Sequence, residues 1–295
     1  MDMEVVLGSL ARKVDLSLMD YMSLTSGQAE IESCLGQFLN RYSTVIIGAF
    51  SRKTLISPLS GNVIELLVLF NEERKGDFFP RELMEKLAVT FEAHFDGVQF
   101  SKQEMTLSVP FDRFRFDVRP GFLIGTGTYL VPSKDFLRWD EYATQAQYDE
   151  FLAENGKVSG RLRHLVQLVK TWNVEHGKVF DEYYLELLVL RVMKGVDIGS
   201  YTRALRFFFY YATREVVYKL EDPADRTRMV EGLYNVEKLF YAMKLFYDAA
   251  QISMQAVDDA ESISAGQATE LWTQLFPQSM PEVIGLRTEE QVATA

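Results

Sequence analysis

A single cysteine, Cys34, stands in 295 residues, so no intramolecular disulfide can form. That suits a reducing, cytosolic setting. Histidine is almost as scarce: His94, His164 and His176 are isolated, with no i,i+4 pairing, which excludes a zinc-ligand motif. Cations are in deficit. The net charge of −11 and the lack of any long Lys/Arg run argue against nonspecific binding of duplex nucleic acid, although a local cationic cleft stays open. No apolar run approaches the roughly 18 residues a membrane helix needs. The acidic start, Met1-Asp2-Met3-Glu4, lacks the positive region of a secretory signal. There is no internal repeat and no low-complexity tract. Gly125-Thr126-Gly127-Thr128-Tyr129 is not a Walker loop, since no Gly-Lys-Ser/Thr ends it, and it reads as a turn between strands.

What is present is ordinary globular composition, 47% hydrophobic and 25% charged, in a length that holds one large domain or two smaller ones. The most informative stretch is Val45 to Phe70. An apolar run, Val45 to Ile47, meets Gly48-Ala49; a polar loop follows with Ser51, Arg52, Lys53 and Thr54. After Pro58 and the Ser60-Gly61-Asn62 turn comes a second apolar run, Val63 to Phe70, carrying one acid, Glu65. Apolar runs bounded by Gly, Pro and Ser predict buried strands. A charge inside such a strand is costly without a partner, and a metal ion is one. Alternation places residues 63 and 65 on one face and 64 on the other.

The rest of the chain supplies helices and a third strand of interest. Two helices are expected before residue 43, the second over about Ser26 to Arg41, with Cys34 in its buried face. A helix follows over Arg81 to His94. Strands are expected at Val98 to Phe100, Met105 to Val109 and Phe114 to Val118, then a short one at Tyr129 to Pro132. In the third of these, alternation sets Phe114, Phe116 and Val118 on one face and Arg115, Asp117 and Arg119 on the other. Asp117 therefore lies between two cations, and pairing with one of them is its plain structural role. From about Gln145 the pattern is helical, with helices expected over Tyr201 to Tyr218, Thr227 to Val257 and Ala265 to Leu275. The run Phe207-Phe208-Phe209-Tyr210-Tyr211 reads as core.

Gly48-Ala49-Phe50-Ser51-Arg52-Lys53-Thr54-Leu55-Ile56-Ser57-Pro58-Leu59 resembles the "GSFxRKTxIxPL" loop of DNA polymerase β superfamily nucleotidyltransferases. The similarity is to the cGAS-like and oligoadenylate-synthetase-like branch that includes the bacterial CD-NTases. Further resemblances come in the same order as in that branch. Asp117 with Val118, Pro120 and Phe122 looks like the third acid and its following "DVxPxF". Leu165 to Asn173 resembles "LIRLIKxWN"; Tyr183-Tyr184-Leu185-Glu186 resembles "SYxLE"; Asp222-Pro223-Ala224-Asp225 resembles "DPxN". The resemblance covers roughly residues 10 to 260. It departs at Val63, where the family has its first acid, at Ala49, where it has a hydroxyl, and at Glu182, where it has serine.

The resemblance implies an α+β fold, with a nucleotidyltransferase core of mixed sheet and helices over 1–144, a helical domain over 145–280 and a flexible tail over 281–295. It implies that Glu65 and Asp117 hold Mg²⁺ (or Mn²⁺), and that Gly48, Ala49, Ser51, Arg52, Lys170 and Tyr183 bind nucleotide, with Lys170 at the phosphates and Tyr183 on a base. The implied activity is joining nucleoside triphosphates into a cyclic or linear oligonucleotide messenger, read by a downstream effector protein in antiphage signalling. Val63 and Ala49 support an alternative, a catalytically inactive relative that binds a nucleotide or a protein partner.

Overall fold

The computed structural model describes residues 2–36, 42–59, 61–71, 75–76, 78–101, 105–233, 238–258 and 264–285. The chain forms two compact units. One comprises 16–150 with 222–227; the other comprises 1–15, 151–221 and 228–295.

The first unit is built on a seven-stranded mixed sheet: β1 (Tyr42–Ile46), β2 (Val63–Phe70), β3 (Gln99–Ser101), β4 (Thr106–Phe111), β5 (Phe114–Gly125), β6 (Thr128–Pro132) and β7 (Trp139–Ala143). β2 runs parallel to β5, with Val63 opposite Arg115 and Glu65 opposite Asp117. β4 and then β6 take the other edge of the long β5, both antiparallel. The even positions of β2 and β5 (Ile64, Leu66, Val68, Phe116, Val118, Phe122) are buried with Leu24, Ile31 and Leu35 of α2 (Leu18–Gly36) and Leu83, Leu87 and Phe91 of α3 (Pro80–Glu92). The odd positions, Glu65, Leu67, Asp117 and Arg119, turn to the opposite face, where Leu67 joins Ile47, Tyr129, Val131 and Tyr142. The period of two fixes this division: a one-residue slip would bury both acids under α2 and α3. Gly27 of α2 permits its close approach to the sheet, since a Cβ there would lie 2.7 Å from Phe116 Cε2.

The second unit is helical. It contains α1 (Met3–Lys13), the second half of α4 (Thr144–Lys157), α5 (Arg161–Glu175), α6 (Glu182–Met193), α7 (Tyr201–Glu215), α8 (Leu239–Asp258) and α9 (Ala265–Leu275). Its centre is aromatic: Trp172 lies 5.1 Å from Phe246 and 5.0 Å from Phe209, centroid to centroid.

Several expectations are corrected. The expected split at 144/145 falls at 150/151, and α1 belongs to the helical unit, because Val6, Leu7 and Leu10 are buried there. Residues 225–230 are not helical: β8 (Leu220–Asp222) and β9 (Asp225–Val230) form a hairpin, with Asp222 Oδ1 accepting from Ala224 N at the turn. The tail expected over 281–295 begins as helix, since 279–285 is helical with Met280 and Val283 buried; 286–295 lies outside the described residues, as does 37–41 of the expected second helix. The aromatic run of α7 divides, with Phe208 and Phe209 in the core and Tyr210 and Tyr211 exposed, as a helical period requires of five consecutive residues.

One half-buried group in this unit, His164, carries a pH prediction. Tyr201 Oη lies 2.7 Å from His164 Nδ1, and Arg163 Nη2 donates to Nε2, so the geometry suits the neutral ring. Burial, then Arg163, then Arg12 and Arg161 hold its pKa below the ordinary 6.5, and Asp15 only partly opposes them. The folded state thus resists protonation that the unfolded chain accepts. Stability is full above pH 6.5 and falls as pH drops through the lower folded pKa. Urea unfolding at about pH 7.5 and about pH 5.5 should show this loss. The loss should shrink in His164→Gln; an unchanged slope would mean another group carries it.

Candidate active site

The site face is assembled by β2, β5 and the turn after β1. Residues 48–53 form one compact helical turn, with Arg52 N donating to Gly48 O and Thr54 N to Ala49 O. Gly48 begins the turn at φ +69°, a left-handed conformation glycine adopts readily. Glycine also leaves room for Glu65, because a Cβ there would overlap Glu65 Oε1 and push that carboxylate aside. The Glu65 carboxylate therefore rests against the backbone of the turn. Gly48→Ala should lower stability by about 1–2 kcal/mol from backbone strain alone, and should displace Glu65, with loss of any activity that needs it. Denaturant midpoints with a nucleotide assay check both effects; wild-type values in both would exclude this packing.

Each acid carries its own cation. Arg119 Nη2 donates to Glu65 Oε2 at 3.1 Å, and Arg115 Nε to Asp117 Oδ1 at 3.2 Å. Asp117 is only 5% exposed, whereas the Glu65 side chain is one-third exposed. A second layer holds Arg119. Its guanidinium lies 4.9 Å from the Tyr142 ring centroid, and Tyr142 Oη accepts from Gln147 Nε2. Gln147 also donates to the buried Asp222 at 2.9 Å, and its Oε1 accepts from Arg52 Nη1 at 3.2 Å. Burial, then the Glu65 charge, raises the Tyr142 pKa, so the phenol stays protonated.

The structure thus brings together Gly48, Ala49, Ser51, Arg52, Glu65 and Asp117 in one unit and places Lys170 and Tyr183 in the other. Ser51 Oγ donates to Ile46 O. Arg52 is buried and turned onto Gln147, not presented as an open phosphate ligand. Lys170, expected at a nucleotide phosphate, is likewise turned inward. Lys170 is fully buried, its Nζ 2.5 Å from Glu186 Oε1 and 4.0 Å from Glu182 Oε2. Glu182, the residue replacing the family's serine, also pairs with Lys178 at 2.7 Å. Tyr183 is half-buried on α6, while its neighbour Tyr184 is fully buried, donating to Tyr218 O at 2.8 Å; burial raises its pKa to about 12. Tyr142 and Gln147 carried no sequence signal. Asp222 was marked only by its motif, and Arg119 only by its strand position.

The donor set suits a hard cation, since Glu65 and Asp117 offer carboxylate oxygen. It is small, however. Val63 occupies the position of a further acid, and no group of three potential ligands occurs among the described residues. Arginine engages one oxygen of each carboxylate, Glu65 Oε2 and Asp117 Oδ1.

A parallel strand pair with facing acids, preceded by a glycine turn, defines a nucleotidyltransferase-fold protein. The family model of the Second Messenger Oligonucleotide or Dinucleotide Synthetase domain (SMODS) matches residues 1–155, and the chain belongs to that family. It is 26% identical over 182 residues to "Probable cyclic nucleotide synthase" of Bacillus cereus (strain VD146), covering 56% of this chain and 51% of the relative, so it spans about half of that protein's length. Among solved structures, CdnC of Escherichia coli MS115-1 with ATP matches with TM-score 0.67 and 18% identity, over 94% of this chain and 98% of that one. The CD-NTase CdnG of Bradyrhizobium diazoefficiens in complex with GTP matches with TM-score 0.68 and 10% identity, over 95% and 97%. These likenesses establish the fold. No helix among the described residues is long and apolar enough to cross a membrane.

Proposed function

We propose that the chain is a metal-dependent nucleotidyltransferase that joins nucleoside triphosphates into a cyclic or linear oligonucleotide messenger. The observation that carries this reading is the family match over 1–155, within which Glu65 and Asp117 face each other in register beside the Gly48 turn. A divalent ion held there would polarise the α-phosphate and activate the attacking hydroxyl. The chain's own residues do the positioning. The Gly48 turn sets Glu65, and Arg119 with Tyr142 keeps that carboxylate from swinging away. The turn's internal bonds use the amides of Arg52, Lys53 and Thr54, and the amides of Ala49, Phe50 and Ser51 suit a phosphate oxygen. The acidic net charge favours a small metal-bound nucleotide over duplex nucleic acid. Reading of the product by an effector protein, in antiphage signalling, belongs to the same proposal.

Val63 favours a second reading, an inactive relative that binds nucleotide without joining it. Purified chain with all four labelled NTPs and Mg²⁺ or Mn²⁺, products separated by mass, decides between them. A product lost in Asp117→Asn supports the synthase. No product, with nucleotide binding still measurable by calorimetry, supports the inactive relative.

A further inference from the structure

The ion pairs on the site face bear on how many metal ions the chain holds. Glu65 and Asp117 contribute two negative charges, and Arg119 and Arg115 two positive ones, so the four groups balance. Arg119 is no loose surface cation. Its side chain is 11% exposed, bonded to Glu65 and flanked by the Tyr142 ring, which Gln147 holds through its hydroxyl. Two divalent ions in one site sit about 3.5–4 Å apart and need carboxylates that bridge them. Glu65 has Oε2 committed to Arg119, Asp117 has Oδ1 committed to Arg115, and the register position where another carboxylate could share the load is Val63.

The geometry points to a single protein-held divalent ion, which Glu65 and Asp117 would hold, with the Arg119 guanidinium as a permanent cation in place of a second carboxylate-held ion. This rests on the nucleotidyl-transfer reading for its purpose but not for its test. A balanced site attracts a free divalent ion weakly, so the ion arrives with a triphosphate whose oxygens complete its shell. Arg119 is then a positioning residue: it fixes Glu65 and limits the metal count.

The test is electron paramagnetic resonance of the full chain with Mn²⁺ alone, and with Mn²⁺ plus an equimolar mixture of the four α,β-methylene NTPs. The expected result is weak retention of Mn²⁺ alone and, with nucleotide, one ion per chain giving the spectrum of an isolated Mn²⁺. Arg119→Gln should raise the affinity for Mn²⁺ alone roughly tenfold or more, by removing a cation beside a ligand, while Arg119→Lys stays near wild type. The double change Val63→Asp with Arg119→Gln should give the spectrum of a coupled ion pair. A coupled pair in the wild type, no retained ion with nucleotide bound, or unchanged affinity in Arg119→Gln would each overturn the inference. The NTP assay is read separately: one isolated ion without product sinks the synthase reading and leaves this one standing.

Discussion

Lys170→Met is expected to lower the unfolding free energy by about 3–5 kcal/mol, the usual cost of removing one partner from a buried ion pair. Lys170 and Glu186 are 0% and 1% exposed, and their 2.5 Å contact joins α5 to α6. The substitution keeps most of the side chain's volume, so the loss comes from removing the cation that offsets the buried Glu186 charge and not from a cavity. Glu182, 4.0 Å from the ammonium, loses a neighbouring cation too but keeps Lys178. The double change Lys170→Met with Glu186→Leu should recover most of the loss, because exchanging both members of a buried pair for apolar groups is often neutral or better. Trp172, two residues on and in the same core, gives a fluorescence signal for urea unfolding of this unit. If the single variant unfolds like the wild type and loses only nucleotide affinity, Lys170 is a phosphate ligand after all and its burial does not describe the working state.

The second large effect concerns catalysis. Asp117→Asn should reduce product formation by roughly 10³-fold, since withdrawing a metal-holding carboxylate removes several kcal/mol of transition-state stabilisation and each 1.36 kcal/mol is tenfold in rate. Stability should change by about 1 kcal/mol, because among the described residues Asp117 pairs with the half-exposed Arg115, which water solvates once the charge is gone, and the amide keeps the carboxylate's shape. The two readouts together matter. Product loss with an unchanged denaturant midpoint assigns Asp117 to the reaction. Parallel loss of both would mean that the buried acid serves the fold of β5, and the synthase reading would lose its second ligand. Glu65→Gln gives a weaker discrimination, since it also breaks the Arg119 pair.

Much of the sheet unit was legible because its signals are local. Alternation along 114–118 placed Arg115, Asp117 and Arg119 on the face away from Phe116, and the pairing of Asp117 with one neighbouring arginine followed from that. The glycine turn at Gly48 was legible for the same reason: a residue type with a particular backbone freedom sat between two apolar runs. β7 had no such pattern in Trp139–Ala143, and it exists because β6 offers it an edge. In the hairpin at 220–230, residues 227–230 read as the start of a helix because they have mixed propensity, while the turn is set by a side chain, Asp222, bonding back to the backbone.

The sequence by itself determined the strand faces, since these depend on periodicity at short range. Its resemblance to the nucleotidyltransferases implied the class of fold and the two acids, while their register, Glu65 opposite Asp117, came only with the pairing of β2 and β5. It also determined what is missing, because Val63 cannot ligate a metal wherever the chain folds. Only the tertiary structure decided how charges are partnered. Arg119 reaches Glu65 from 54 residues away and Lys170 finds Glu186 on the next helix, while Gln147 links Arg52 to Asp222 across 95 and 75 residues. A charge taken out of water takes whichever partner the packing brings within reach, and that partner is not encoded by neighbours in sequence. For this reason Arg52 and Lys170, expected at a nucleotide, lie buried against Gln147 and Glu186, and Arg119, a strand residue near Asp117, pairs with Glu65.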